Sequence, residues 1–294
     1  MSNFVISSKE LQNLAIRVAK KLDYKYSTYE LRVFADGESK ITIKKIKSDK
    51  TIIIHSISPP VDSNLIRILS LIHEANKHSN SVIAVIPYMG YARQDKMFLS
   101  GEIITIEVIS KLLESVGASA VIVLDIHSNS ALQKFNVPIV NISVAPTLAK
   151  YIKKLKLTNS IIVSPDSGGS ERAKYISEIL NVEHIVLKKQ RDRKTGMVRI
   201  RSEELNINNR NIILVDDMIT TGNSIINAVK ILKKNKCGKI FVVCTHAILL
   251  GDAKNKIIKS GVEKIISANT ITGNEIIDVT SLISKSINNM IKKL

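Results

Sequence analysis

The sequence predicts an α/β protein of two related domains, each a doubly wound, mainly parallel sheet flanked by helices. Three observations carry this. Short apolar runs rich in β-branched residues, such as Thr51-Ile52-Ile53-Ile54 and Ile212-Ile213-Leu214-Val215, alternate along the chain with stretches of helical period, the rhythm of parallel βαβ units. A strand–loop–helix–strand unit occurs twice with equal spacing. Ile52-Ile53-Ile54, a helix from Leu65 and Val82-Ile83-Ala84-Val85 match Ile212-Ile213-Leu214, a helix from Ile225 and Phe241-Val242-Val243. Finally, 294 residues with 45% apolar content suffice for two cores. The boundary is expected near Asn141 to Pro146. That gives domains 1–142 and 143–294, with the last helix packing back on the first domain.

Taken in order, Asn3 to Ile6 reads as a strand and Lys9 to Leu22 as an amphipathic helix. Tyr29 to Val33 and Ser39 to Ile43 alternate as strands about a turn, Phe34-Ala35-Asp36-Gly37-Glu38. The strand Thr51 to Ile54 precedes a helix from Leu65 to about His78, and Val82 to Pro87 is the next strand. Tyr88 to Gly101 is polar, Ile103 to Val116 helical, and Val121 to Ile126 a strand ending in Asp125-Ile126-His127-Ser128. In the second half, helices over Leu148 to Lys156 and Glu171 to Leu180 alternate with strands over Ser160 to Val163 and His184 to Leu187. Lys188 to Gly196 is charged and expected to be mobile. Strands at Ile212 to Val215, Ile240 to Cys244 and Lys264 to Ser267 complete the pattern.

The formal net charge of +17 invites a nucleic-acid reading. It is discounted because the lysines fall as pairs at helix ends, such as Lys153-Lys154, Lys233-Lys234 and Lys292-Lys293, where they complement the helix dipole. Aromatic residues are only 4% and Trp is absent, which leaves little for base stacking. No apolar run reaches the length of a membrane span, and the N-terminal stretch lacks the shape of a signal peptide. Cys237 and Cys244 lack metal-binding spacing, and a reducing cytoplasm is the expected setting.

The chemistry centres on Val215-Asp216-Asp217-Met218-Ile219-Thr220-Thr221-Gly222-Asn223-Ser224, which joins a strand to a helix. Hydroxyls, backbone N–H groups and a helix N-terminus make an anion site, and two acids suit the hydroxyls of a sugar. The reading is a phosphorylated sugar, with phosphate on the Thr-Thr-Gly turn and a ribose diol on Asp216 and Asp217. The plainer alternative is a capped turn with two solvated acids.

Four further stretches supply reactive groups. Arg93-Gln94-Asp95-Lys96 offers a guanidinium to clamp a phosphate or stack on a purine, and an amide to read a base edge. Asp125 and His127 end one strand, although a lone strand-end His is more often structural than a ligand. Asp166 ends the next strand before two glycines, and with His127 it offers mixed N/O ligation of a divalent cation. Lys189-Gln190-Arg191 places two cations on one side of an extended segment, suited to charge on a transferring phosphoryl group. A basic surface loop is the competing reading. There is neither a GxxxxGK[ST] nor a GxGxxG motif.

Over nearly its whole length the chain resembles the ribose-phosphate diphosphokinase (phosphoribosyl pyrophosphate synthase) family, in its archaeal-type form. The resemblance rests on FADGE (Phe34 to Glu38), PYMGYARQDK (Pro87 to Lys96), DIHS (Asp125 to Ser128), SPDSGGSERA (Ser164 to Ala173), KQR (Lys189 to Arg191) and VDDMITTGNS (Val215 to Ser224). It implies two phosphoribosyltransferase-like domains, the first with a degenerate loop. It implies ATP on Phe34, Asp36, Glu38, Arg93, Gln94 and Asp95, with the Phe34 turn reaching from a neighbouring subunit of a homodimer or larger assembly. Ribose 5-phosphate falls to Asp216, Asp217, Thr220, Thr221, Gly222, Asn223 and Ser224. Magnesium is expected near His127 and Asp166, and Lys189 and Arg191 stabilise the transition state. The implied reaction is transfer of a diphosphoryl group from ATP to the ribose 1-hydroxyl.

One departure is Asn223, where the family's loop usually has a second glycine; Asn tolerates a left-handed backbone better than most residues. The segment Phe98 to Thr105 also differs from that of bacterial members, which puts regulation by ADP or phosphate in question. A phosphoribosyltransferase and a non-catalytic regulatory relative are the alternatives. The first would not need Phe34 to Glu38 or Arg93 to Asp95, and intact Lys189, Arg191 and His127 argue against the second.

Overall fold

The computed structural model describes residues 2–44, 47–187, 189–191, 198–200, 205–273 and 275–294, with backbone alone at 189–191 and 198–200. In chain order, the first elements are β1 (Phe4–Ser7), α1 (Gln12–Leu22), β2 (Lys25–Val33), β3 (Ser39–Ile43), β4 (Ser48–Ile54), α2 (Val61–Asn76) and β5 (Ser79–Ile86). Next come α3 (Thr105–Ser115), β6 (Ala120–Leu124), α4 (Asn129–Leu132), β7 (Ile139–Ile142), α5 (Ala145–Lys154), β8 (Ser160–Ser164), α6 (Ser170–Leu180) and β9 (His184–Val186). The remainder is β10 (Lys189–Arg191), β11 (Val198–Ile200), β12 (Asn211–Ile219), α7 (Asn223–Lys234), β13 (Ile240–Ala247), α8 (Ala253–Lys259), β14 (Lys264–Ser267) and α9 (Thr280–Ile291).

These elements form two compact units, Met1–Ser143 with Asn269–Leu294, and Val144–Ala268. The first holds a sheet of order β3-β2-β1-β4-β5-β6-β7, parallel except for the β2–β3 hairpin. The second holds a fully parallel sheet of order β14-β13-β12-β8-β9. The carboxyl halves of β4 (Ile52–Ile54) and β5 (Val82–Ile86) and the whole of β6 are solid runs of buried Val, Ile, Ala and Leu, as strands covered on both faces must be. The β12 stretch Ile212–Val215 is buried in the same way.

The repeat read from the sequence extends through the topology. Omitting the hairpin strand β3, the order β2-β1-β4-β5-β6 of the first sheet has the neighbours of β9-β8-β12-β13-β14 in the second. In both, the chain leaves the central strand one way, returns, and continues the other way. This leaves a switch point between β1 and β4 and another between β8 and β12, where the crevice at the strands' carboxyl ends receives ligands in open α/β sheets.

Several boundaries differ from the sequence reading. Helix α2 begins at Val61, a turn before Leu65, because the carbonyl of Pro60 accepts the N–H of Asn64 at 3.0 Å and Asp62 lies in the first turn. Helix α1 begins at Gln12, since Lys9 to Leu11 is a turn closed by Gln12 N–H on the carbonyl of Lys9. Strand β7 and the short α4 carried too little periodicity to be read. The second domain read as 143–294 ends earlier as a compact unit, at Ala268. Residues 269–294 join the first unit because α9 buries Ile283, Ile287 and Met290, at helical spacing, against α1, β6 and β7. Polar ties fix the same segment. Arg17 Nε lies 3.4 Å from the Asp278 carboxylate and donates to Thr280 Oγ1 at 3.3 Å, and Asn269 Oδ1 accepts the N–H of Val279 at 2.9 Å.

The first unit's switch point is closed by this segment. Ser56, just past β4, donates its hydroxyl to the carbonyl of Thr270 at 2.7 Å and accepts the N–H of Tyr88 at 3.0 Å. His55 beside it is buried, with Nε2 3.2 Å from the hydroxyl of Tyr29. Because α9 completes the core of the first unit, Ile287→Ala should cost about 2–5 kcal/mol of stability. An unchanged urea midpoint would mean that α9 contributes nothing to that core.

Candidate active site

The second unit's switch point is built by β8 and β12. Strand β12 runs on to Ile219, with Asp216 opposite Cys244, Met218 opposite His246 and Ile219 opposite Ala247 of β13. The two acids therefore sit within a paired strand, whereas the sequence reading ended the strand at Val215. Each is held by local bonds: Asp216 Oδ1 accepts the N–H of Asp217 at 2.9 Å, and Asp217 Oδ1 accepts that of Met218 at 2.8 Å. Asp217 is buried and Asp216 half-buried. Burial pushes the Asp216 carboxyl well above the usual range, reinforced by the charge and hydrogen bonding of Asp217 and by the charge of Asp166.

The loop that follows is shaped from behind. The N–H groups of Ile248 and Leu249 both donate to the carbonyl of Ile219 at 3.0 Å, and Leu250 N–H donates to that of Thr220 at 3.0 Å. In a planar trans peptide the N–H points opposite to the C=O. The N–H groups of Thr220 and Thr221 are thus aimed away from the 248–250 segment. Gly222 has φ of +78°, and a Cβ there would stand 2.7 Å from Ile257 Cδ1, so glycine is required both by backbone and by space. Helix α7 starts at the next residue, with Ile226 N–H on the carbonyl of Gly222 at 2.9 Å. Asn223 is the first helical residue and the left-handed position is Gly222. The tolerance expected of Asn223 is therefore not called upon. Thr221 and Asn223 are exposed, and Thr220 and Ser224 half-buried.

Asp166 follows β8. Its Oδ1 accepts the N–H of Gly168 at 3.0 Å and its carbonyl accepts the hydroxyl of Ser164 at 2.7 Å, a turn that leads into α6. The structure thus brings Asp166, Asp216, Asp217 and the Thr220–Ser224 loop to one sheet edge at the switch point. Lys189 and Arg191 lie in β10, which pairs antiparallel with β11; their side chains fall outside the described residues, as do Lys188 and residues 192–197.

The other expected residues belong to the first unit. Phe34, Asp36 and Glu38 form the tip of the β2–β3 hairpin, closed by Phe34 N–H on the carbonyl of Glu38 at 2.9 Å, with Gly37 at φ +95°. Phe34 is exposed, and the Arg32 guanidinium lies 5.1 Å from its ring centre. Arg93 and Gln94 are exposed on a loop before α3, whereas Asp95 is only 5% exposed. His127 is exposed just past β6. Among the described residues, no three His, Cys, Asp or Glu side chains are grouped so as to hold a metal ion by themselves. No described helix is long and apolar enough to cross a membrane. Sequence reasoning missed the backbone donors of Ile248 to Leu250 and the side chain of Ile257. No residue type could have signalled them, because N–H donors are common to almost every position.

A carboxyl whose proton is favoured by folding adds stability at acid pH and loses it as pH rises through its folded-state pKa. Asp216→Asn removes that penalty. The variant's advantage in melting temperature over the parent should grow from about pH 4 to about pH 8 and level off above that. A constant difference across that range would show that Asp216 does not hold a proton.

Comparison with known proteins agrees with this geometry. Residues 4–117 match the model of the N-terminal domain of ribose phosphate pyrophosphokinase, and residues 135–279 that of the phosphoribosyl transferase domain. The chain is 32% identical over 289 residues to ribose-phosphate pyrophosphokinase of Methanopyrus kandleri, covering 97% of this chain and 99% of the relative. It is 34% identical over 265 residues to that of Sulfurisphaera tokodaii, covering 88% and 91%. The crystal structure of phosphoribosylpyrophosphate synthetase from Mycobacterium smegmatis shares its fold, with a TM-score of 0.86, 23% identity and full coverage of both chains. By end-to-end identity of about a third, and by two domain models in the order of its two sheets, the chain belongs to the ribose-phosphate pyrophosphokinase family.

Proposed function

We propose that the chain transfers the β,γ-diphosphoryl group of ATP to the 1-hydroxyl of ribose 5-phosphate, giving phosphoribosyl pyrophosphate and AMP for nucleotide biosynthesis. The observation that carries this reading is the pairing of Asp216 and Asp217 with a loop whose N–H groups face outward, at the switch point beside Asp166. Phosphate takes the loop Thr220, Thr221, Gly222, Asn223 and Ser224, where amides, hydroxyls and the α7 N-terminus offer donors. The ribose hydroxyls donate to Asp216 and Asp217, and hydrogen bonds given to Asp216 favour its ionised form.

ATP falls to Phe34, Asp36 and Glu38 at the hairpin tip and to Arg93 and Gln94. We assign magnesium contacts to the His127 imidazole of the first unit and to the Asp166 carboxylate of the second, donor types that suit such a cation. When bound, magnesium neutralises part of the polyphosphate charge. The 1-hydroxyl oxygen bonds to the β-phosphorus as the bond from that phosphorus to the α,β-bridging oxygen breaks. AMP leaves with that oxygen, and the hydroxyl's proton passes to water. Lys189 and Arg191 stabilise the charge in flight, and positioning supplies the rest. The protein works in the cytoplasm as a homodimer or larger assembly, without nucleic acid or membrane.

The direct test is release of AMP from ATP and ribose 5-phosphate with magnesium and no nucleobase; absence of AMP from folded protein would sink the reading, and a requirement for a base would indicate a phosphoribosyltransferase. Lys189→Ala should reduce turnover by orders of magnitude with little change in KM for ATP. A weakened KM with normal turnover would contradict its role. Asp217→Ala should raise KM for ribose 5-phosphate by about tenfold or more, the worth of a hydrogen bond to a charged group. An unaltered response to that sugar would remove the ribose assignment.

A further inference from the structure

We propose that Asp95 is a positioning residue, a buried clamp that locks the loop presenting Arg93 and Gln94 to the strand end presenting His127. The inference rests on the nucleotide reading of those three residues and replaces the direct ATP contact expected of Asp95 from its neighbours in sequence.

The loop shows an out-out-in pattern, with Arg93 and Gln94 exposed and Asp95 at 5% exposure. The Asp95 carboxylate accepts the hydroxyl of Ser130. Ser128 and Ser130 hydroxyls lie 2.8 Å apart, and the N–H of Ser130 donates to Ser128 Oγ at 3.3 Å, capping α4. Asp95, Ser130 and Ser128 thus form one chain of bonds, and Ser128 adjoins His127. Burial alone would raise the Asp95 carboxyl, but hydrogen bonds from Ser128 and Ser130 outweigh it and hold the group below its ordinary range. Asp95 is therefore ionised at neutral pH, where hydroxyls donating to it make strong bonds. A carboxylate beside a polyphosphate would repel it; turned inward and satisfied, it does not.

Each loop is also fastened to its own surroundings. Tyr91 donates its hydroxyl to Asp62, Gln94 N–H donates to the carbonyl of Tyr91 at 2.8 Å, and Ile106 N–H donates to that of Gln94 at 3.3 Å. On the other side, Asp125 N–H donates to the carbonyl of Ile142 at 2.9 Å, and Ile126 N–H to Asn141 Oδ1 at 3.0 Å. None of these bonds crosses between the two loops; the Asp95–Ser130 bond does. Its effect is to keep a guanidinium meant for phosphate and an imidazole meant for the accompanying cation at a fixed separation, so that the nucleotide and its cation are met together.

The test compares Asp95→Asn, Ser130→Ala, Ser130→Thr and the Asp95→Asn/Ser130→Ala double variant by steady-state kinetics with ATP, ribose 5-phosphate and magnesium, alongside thermal melting. Asp95→Asn and Ser130→Ala should each raise KM for ATP about tenfold and raise the magnesium concentration for half-maximal rate, leaving KM for ribose 5-phosphate unchanged. The double variant should be no worse than the more affected single one, and Ser130→Thr, which keeps the hydroxyl, should match the parent. A parent-like KM for ATP in Ser130→Ala with a severe loss in Asp95→Asn would overturn the clamp in favour of direct contact. Lower melting temperatures with unchanged KM for ATP would overturn it in favour of a purely structural bond. Should Asp95→Asn not fold, Ser130→Ala against Ser130→Thr decides. A parent that releases no AMP would instead refute the activity on which the proposal stands.

Discussion

Parallel pairing of β12 between β8 and β13 is the constraint on which the site depends. It sets the carboxyl ends of three strands side by side, and everything attached to those ends inherits their register. Asp216 and Asp217 are held by the ladder, so their mutual repulsion and burial cannot be relieved by moving apart. The carbonyls of Ile219 and Thr220 are taken up by the segment after β13, which turns the opposite ends of those peptides outward. A flexible loop would have to order these groups at each binding event, and here much of that cost is met on folding.

Much of this was legible in the sequence, and the reasons differ by residue. Ile212 to Val215 is a buried parallel strand, and such strands read as continuous apolar runs. Gly222 could be placed because a glycine between a strand and a helix marks a turn, whereas its close approach to Ile257 could not be read. The end of β12 was misread because Asp is a poor strand former, yet β13 supplies partners as far as Ala247. Asp95 was grouped with Arg93 and Gln94 because adjacency is all a sequence displays. Which of three consecutive polar residues turns inward is decided by a serine thirty-five positions away. The return of α9 to the first unit agrees with the packing expected of the last helix, but its apolar stripe did not show that the whole stretch from Asn269 goes with it.

The two units also share a more specific likeness. Each has an antiparallel strand pair ahead of the strand beyond its switch point: in the first the outer strand β2 itself pairs with β3 before β4, and in the second β10 pairs with β11, apart from the main sheet, before β12. The first carries Phe34, Asp36 and Glu38 at its tip; the second begins with Lys189 to Arg191. The strand pair expected to meet the nucleotide and the pair expected to act on the moving phosphoryl group thus both precede the strand beyond a switch point, one within the main sheet and one outside it.

The closed crevice of the first unit tells the rest of that history. Where its twin keeps an open edge lined with acids, Ser56 grips the backbone of Thr270, and Gly273 lies so close to Glu10 that a Cβ would come within 2.9 Å of its carbonyl oxygen. The segment around Thr270 and Gly273 therefore lies against the carboxyl end of β4 and the turn before α1. Anything entering the first unit's switch point would have to displace that backbone, a toll its counterpart does not levy.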